Sequence, residues 1–253
     1  MNRQTVIFRD LENMSYRNAW DYQEQLLQQN LKLKTEAMAL VNEAAIAGQD
    51  ETEAPGINTH SANTTHHLLF VEHPPVYTIG KSGKEKHFLI NEEECQRRGI
   101  EYFRTNRGGD ITFHGPGQIV GYPIFDLEKF YTDIGRYLRE LEEVIILTMA
   151  DYGLKGERSP GETGVWIDPN IPGRERKICA LGVRCSRWIT MHGFAFNVNT
   201  DLSYFNFIVP CGIQGKQVTS LQRELGGIVS IEEVKEKVKA NFEKVFNIRI
   251  VNA

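Results

Sequence analysis

Apolar and polar residues alternate over residues 5–10 (TVIFRD), the period of a half-buried strand, and then the spacing changes. Tyr16, Ala19, Trp20, Leu26, Leu27 and Leu31 recur at helical intervals, which predicts one long helix. That pattern decays over 42–67, a polar stretch containing Gly48, Pro55 and Gly56, and an exposed loop is expected at about 48–66. The chain then turns β-rich. Residues 67–73 (HLLFVEH) and 76–80 (VYTIG) flank Pro74-Pro75, a pair that breaks the strand or holds a bend. Further strands are expected at 118–127, 164–168, 177–185 and 189–199. Between them, 132–153 keeps Ile134, Leu138, Leu141, Ile145 and Met149 on one helical face and stops at Gly153. Ser230-x-x-Glu233 reads as a capping box opening a last helix with Val234, Val238, Phe242 and Val245, and 248–251 closes as a strand. There is no regular βαβ alternation and no internal repeat. The pattern predicts a single α+β domain over 1–253, with mixed β-sheets flanked by helices.

Composition adds limits. A chain of 253 residues with 41% hydrophobic and 25% charged residues can bury a sizeable core. A formal net charge of −4 gives no electrostatic reason to expect a nucleic-acid partner. No apolar run approaches the ~20 residues that span a bilayer, and the first 25 residues lack the apolar segment of a signal peptide. No membrane partner is expected, and a cytoplasmic location is. The four cysteines, Cys95, Cys179, Cys185 and Cys211, fall in no metal-ligand spacing with one another or with the seven histidines. Reduced thiols and no metal site are the expectation.

Three stretches carry candidate chemistry. In residues 104–124 (RTNRGGDITFHGPGQIVGYPI), Gly108, Gly109, Gly115, Pro116 and Gly117 surround Arg107 and His114. The plain reading is a β-hairpin with tight turns; the chemical one is backbone shaped to approach a ligand's carbonyl or anionic part. It is no phosphate loop, because no Lys-Ser/Thr follows and no GxGxxG is present. In 174–198, Gly182 and Gly193 fall near the middles of two strands, where interior glycines mark close approach by a ligand or another backbone. Lys177 begins the first of these strands and could equally be an ordinary solvated lysine. In 207–221, Cys211 sits between Pro210 and Gly212, displayed on a turn, whereas Cys179 and Cys185 fall within strands. A nucleophile and an inert thiol both remain open on that ground alone.

Taken in order, EHPPVYTIG (72–80), RGGDITFHGPGQIVGYPI (107–124), GVW (164–166), RKICALGVR (176–184), HGFAFNV (192–198), PCGI (210–213) and VTSL (218–221) resemble the lipoyl(octanoyl) transferases. The resemblance covers most of 67–225. It implies the catalytic fold of lipoate and biotin protein ligases, with an acyl pocket between sheets and no cofactor. It further implies that Cys211 carries an acyl thioester and that Lys177 is its activating partner. Substrate would be lined by Arg107, Gly108, Gly109, Asp110, Ile111, Thr112, Phe113 and His114, by Ala180, Leu181 and Gly182, and by Gly193, Phe194 and Ala195. The implied donor is octanoyl-acyl carrier protein. The implied acceptors are lysines of lipoyl domains, those of 2-oxoacid dehydrogenases and the glycine cleavage H protein.

This chemistry suits the residues. Thioester exchange onto a cysteine joins bonds of similar energy, and transfer to an amine runs downhill, so no nucleotide is required. A lysine beside the thiol favours the thiolate and can shuttle its proton. His114 and His192 are rival bases, without a triad pattern, and are expected in the pocket wall. Backbone N–H groups at 107–117 and around Gly212 are candidates for the oxyanion. Arg174, Arg176, Lys177, Arg184 and Arg187 form a candidate dock for an acidic carrier, or a solvated strand edge. The competing readings are an ATP-dependent lipoate or biotin ligase of the same fold, a cysteine thioesterase, and a lipid-binding or scaffold protein with a decayed site.

Overall fold

Leu68, Leu69, Phe70 and Val71 form an unbroken apolar run, and a strand can be apolar on both sides only if both sides are covered. That is what the computed structural model shows; it describes residues 3–46, 62–209 and 217–253. The elements are β1 (Gln4–Asn13), α1 (Tyr16–Ile46), β2 (His66–Glu72), β3 (Val76–Ile79), α2 (Glu92–Arg97), β4 (Glu101–Arg104) and β5 (Ile111–His114). They continue with β6 (Gln118–Ile124), α3 (Ile134–Ala150), β7 (Val165–Ile167), β8 (Arg176–Ser186), β9 (Ile189–Asn197), β10 (Gln217–Val218), α4 (Leu221–Leu225), α5 (Ile231–Phe246) and β11 (Ile248–Asn252).

Among the described residues the strands form two sheets. The large one runs β10-β8-β9-β6-β2-β1-β11 with β7 paired to β8, and the small one runs β4-β3-β5. Both are mixed: β1 is parallel to β2 and β11, while β2, β6, β9 and β8 pair antiparallel in turn. Leu68 and Phe70 face α3 and α5, packing with Leu141, Ile145, Val238 and Phe242. Leu69 and Val71 face the other way, under Ala19, Leu26 and Leu27 of α1. The small sheet has its own apolar cluster around Tyr77, Ile79, Ile111 and Phe113. The expected α+β domain of mixed sheets flanked by helices is what forms.

Differences from the sequence reading are local. Helix α1 runs to Ile46, past the point where its apolar spacing decays. Most of the loop expected at 48–66 lies outside the described residues; 62–65 are irregular and His66 already opens β2. Ser230 does cap α5, accepting from the Glu233 N–H, but the Glu233 carboxylate takes the Tyr152 hydroxyl at 3.3 Å. The expected hairpin at 107–124 is not one: β5 pairs β3 in the small sheet, and β6 pairs β2 and β9 in the large one. The Gly115-Pro116-Gly117 turn therefore carries the chain from one sheet to the other.

A buried ion pair ties α1 to the large sheet. Lys34 Nζ donates to Asp126 Oδ1 at 2.7 Å and to the Arg187 carbonyl at 2.8 Å, and it lies 3.0 Å from Glu128. Thr64 donates to the other Asp126 oxygen, so the carboxylate is satisfied on both sides. Removing the cation would strand a carboxylate that has no solvent exposure. Lys34→Met is expected to cost about 3–5 kcal/mol in a denaturant titration. Lys32→Met, in an exposed pair with Glu36, should change stability by less than about 0.5 kcal/mol. Equal effects would show that the buried pair does not hold the helix.

Candidate active site

The loop between β4 and β5 is wedged between the two sheets. Gly80 N–H donates to the Asp110 carbonyl, Lys81 N–H to Arg107 and Ser82 N–H to Gly109, each at 3.0–3.1 Å. On the other side Gly108 N–H donates to the Val183 carbonyl of β8 at 2.9 Å. This approach tolerates no side chain. A Cβ on Gly80 would stand 2.3 Å from the Gly109 carbonyl oxygen, and one on Gly182 would stand 2.8 Å from that of Gly108. The glycines thus admit the protein's own backbone. Gly108 and Gly117 N–H groups are engaged, by Val183 and by the Glu72 carboxylate, and neither is a ready oxyanion donor.

Arg107 locks this wedge from inside. Buried to 7% exposure, its guanidinium donates to the Thr78 carbonyl at 2.7 Å, the Asp110 carbonyl at 2.8 Å and the Gly108 carbonyl at 3.0 Å. It also donates to the Thr78 hydroxyl at 2.9 Å, which starts a relay with one consistent direction. The Thr78 hydroxyl donates to His114 Nε2 (3.3 Å), and His114 Nδ1–H to the Gln118 side-chain oxygen (2.9 Å). The Gln118 amide donates to Asn197 (2.8 Å), Asn197 to the Thr219 carbonyl (3.0 Å), and Thr219 N–H to the Lys177 carbonyl (2.9 Å). The relay joins the small sheet to the strand that bears Lys177.

A cavity of about 810 Å³ opens between the sheets. Its walls are the 107–112 segment with His114, the β8 residues Ala180, Leu181 and Gly182, and the β9 residues Gly193, Phe194 and Ala195. Lys177 lines it as well, 8% exposed, with its ammonium 4.6 Å from the centre of the Trp166 ring. Gly182 and Gly193 are directly paired across β8 and β9. Val120, Ile134, Leu138 and Phe205 add apolar surface, so the space suits an apolar chain with a polar end.

His73, His114 and His192 are held neutral. Burial, then the charges of Arg107 and Arg184, lowers His192 to about 3. Its Nε2–H donates to Asn106 at 2.8 Å, and its Nδ1 has no partner among the described residues. His114 lies well below the ordinary histidine value through burial and the neighbouring His73 and Arg107. His73, lowered by burial to about 4, donates through Nδ1 to the Met14 carbonyl and accepts the Tyr122 hydroxyl, both at 2.7 Å. Imidazoles so weakly basic are poor proton acceptors at neutral pH.

The chain matches the family described as the lipoyl protein ligase A/B catalytic domain over residues 15–243. It is 51% identical to the octanoyltransferase of Christiangramia forsetii over 251 residues, 99% of each chain. It is also 51% identical to that of Flavobacterium psychrophilum, across 99% of this chain and 100% of that one. The chain belongs to the octanoyltransferase family. It is an acyltransferase. A bipartite lipoate protein ligase from Thermoplasma acidophilum shares the fold, with a TM-score of 0.62 at 17% identity, covering 100% of this chain and 87% of that one.

For this octanoyltransferase-family chain, the structure gathers all but one of the described residues expected at the site. Phe113 turns away: its ring stacks on Tyr204 at 4.5 Å inside the small sheet's core. Cys211 lies outside the described residues. The basic stretch expected as a dock is engaged internally. Arg176 pairs with Asp168 and Glu224, Arg174 with Asp168, Arg184 with Glu24, and Arg187 donates to Thr35. Lys177 faces the cavity. Sequence reasoning missed Tyr16, which lines the cavity from α1, and Gln23, which accepts the His192 N–H at 2.9 Å where the backbone has φ +57°. It also missed the relay through Thr78, Gln118 and Asn197.

The neutral histidines set an acid limit. His66 is lowered to about 4, mainly by burial, and accepts the Asp126 N–H at 3.1 Å through its unprotonated Nδ1. A histidine whose pKa is depressed by folding stabilises the native state fully above its unfolded value near 6.5. That stability is lost as pH falls towards the folded value, because the unfolded chain takes up the proton first. Each such histidine contributes about 1.4 kcal/mol per pH unit of that window. Denaturant midpoints should be flat above pH 7 and fall steeply from about 6.5, before carboxylates titrate. A midpoint unchanged down to pH 5 would contradict burial of these four neutral rings.

Proposed function

We propose that this acyltransferase moves an octanoyl group from octanoyl-acyl carrier protein to a lysine of a lipoyl domain, through a thioester on Cys211 activated by Lys177. The observation that carries the reading is the seating of Lys177 in the wall of an apolar cavity, in register with the chain that follows Cys211. Val218 pairs with Lys177 across β10 and β8, and Thr219 N–H bonds to the Lys177 carbonyl. On the other side Val209 N–H bonds to the His87 carbonyl at 2.7 Å. Described residues either side of 210–216 are thus tied to the cavity's two walls.

In the first half-reaction Cys211 gives its proton to Lys177 and attacks the donor carbonyl. The carrier thiolate leaves and takes that proton back as a thiol. In the second half, the acceptor amine attacks the Cys211 thioester, Lys177 removes the excess proton, and the cysteine leaves to yield an amide. The other thiols suit this role poorly. Cys95 and Cys179 are buried, and burial raises the thiols of Cys179 and Cys185. His114 and His192 are too weakly basic to compete with Lys177 for the proton.

Octanoylation of a lipoyl domain by octanoyl carrier protein is expected to proceed without nucleotide. A strict need for ATP would favour the ligase reading that the shared fold also admits. The activating role of Lys177 is separable from mere positioning. Lys177→Ala should slow alkylation of Cys211 by iodoacetamide at pH 7, with recovery as pH passes about 8.5. Lys177→Arg keeps a cation that favours thiolate but cannot shuttle protons, so it should retain part of the alkylation rate. Its acyl transfer should fall by about 100-fold or more. Identical alkylation profiles for all three proteins would remove Lys177 from thiol activation.

A further inference from the structure

With the arginines of residues 174–187 held in internal contacts, another surface carries the positive charge beside the cavity. Lys81, Lys84 and Lys86 are exposed, and Lys84 and Lys86 stand at its mouth together with Ser82. None of the three is in an ion pair among the described residues, while Glu85 in their midst is held by Arg104 at 2.5 Å. The local charge is therefore about three positive units on a chain of net charge −4.

This segment is rigidly built. Its start is bonded to the 107–110 loop through the Gly80, Lys81 and Ser82 N–H groups. At its far end His87 Nδ1 lies 2.6 Å from the Asp110 carboxylate, and the Phe88 ring stacks on Tyr102 at 5.1 Å. His87 and Leu89 bond through their backbones to Val209 and Phe207, at 2.7 and 2.9 Å, just before the Cys211 segment. Leu89 is 57% exposed beside these charges. An apolar side chain among lysines suits a protein face better than a free anion.

We propose that Lys81, Lys84, Lys86 and Leu89 form the docking surface for the acidic carrier protein that delivers the acyl thioester. The proposal rests on the donor assigned above and adds the place where it binds. A carrier seated there would have its thioester arm at the cavity mouth, between the glycine-rich loop and the chain leading to Cys211. Charge complementarity would act mainly on encounter, so the contribution should weaken with salt.

The test compares wild type with the combined Lys81→Glu, Lys84→Glu and Lys86→Glu variant. One readout is affinity for a carrier bearing a non-transferable octanamide arm. The other is the rate of enzyme acylation by octanoyl carrier protein or by octanoyl-pantetheine. The variant should lose about 10-fold or more in carrier affinity and in kcat/KM with the carrier, with a flatter salt dependence. Its rate with octanoyl-pantetheine should fall far less than its rate with the carrier, and its denaturant midpoint should stay at the wild-type value, which reports an intact fold. Unchanged carrier affinity, equal losses with both donors, or a loss confined to transfer onto the lipoyl domain would each overturn the proposal. Carrier binding that depends on the lysines without any acylation of wild type would uphold the dock and refute the Cys211 relay.

Discussion

The site depends on one buried guanidinium. Arg107 holds the 107–110 loop closed from within, and that loop is the only direct backbone link, among the described residues, between the small sheet at Gly80 and β8 at Val183. A charge at this depth needs its donors satisfied, and carbonyls of Thr78, Gly108 and Asp110 do so. The same charge opposes protonation of His114 and His192, and it begins the relay that ends on the Lys177 carbonyl. Geometry and electrostatics of the cavity follow from the same side chain.

Two consequences shape the chemistry. The glycines exist for close packing of main chain, which makes the cavity walls thin backbone faces that a narrow acyl chain can lie against. The basic groups are sorted by environment: His73, His114 and His192 neutral and hydrogen-bonded, Arg176 and Arg184 paired with carboxylates, and Lys177 over Trp166 in the wall. Tight pairing of Arg176 with Glu224 and Asp168 also fixes the start of β8, next to Lys177.

The long elements were legible from periodicity, as in the two-sided run of β2 and the α3 stripe through Leu141, Ile145 and Met149. The glycine-rich stretch was legible as special but not as a crossover between sheets, because alternation reports a strand's faces and never its partner. β4, β10, α2 and α4 span two to six residues, too short to show a period. Glu24, Asp168 and Glu224 lie far from Arg184 and Arg176 in sequence or on other elements, so the basic stretch looked unpartnered. Thr78, Gln118 and Asn197 fall inside the matched motifs, but only the fold brings them into line. Motif order named residues that the fold sets around one cavity, apart from Phe113, whose ring packs into the small sheet's core.

The central claim is a covalent relay, and the acyl-enzyme itself is its most direct test. Enzyme mixed with octanoyl carrier protein, with neither lipoyl domain nor nucleotide, would be followed by intact mass and peptide mapping, then chased with lipoyl domain. The relay requires a single octanoyl adduct on Cys211 that disappears as the lipoyl domain gains it. An adduct confined to Cys95, Cys179 or Cys185, or efficient transfer with no adduct at any time, would contradict it.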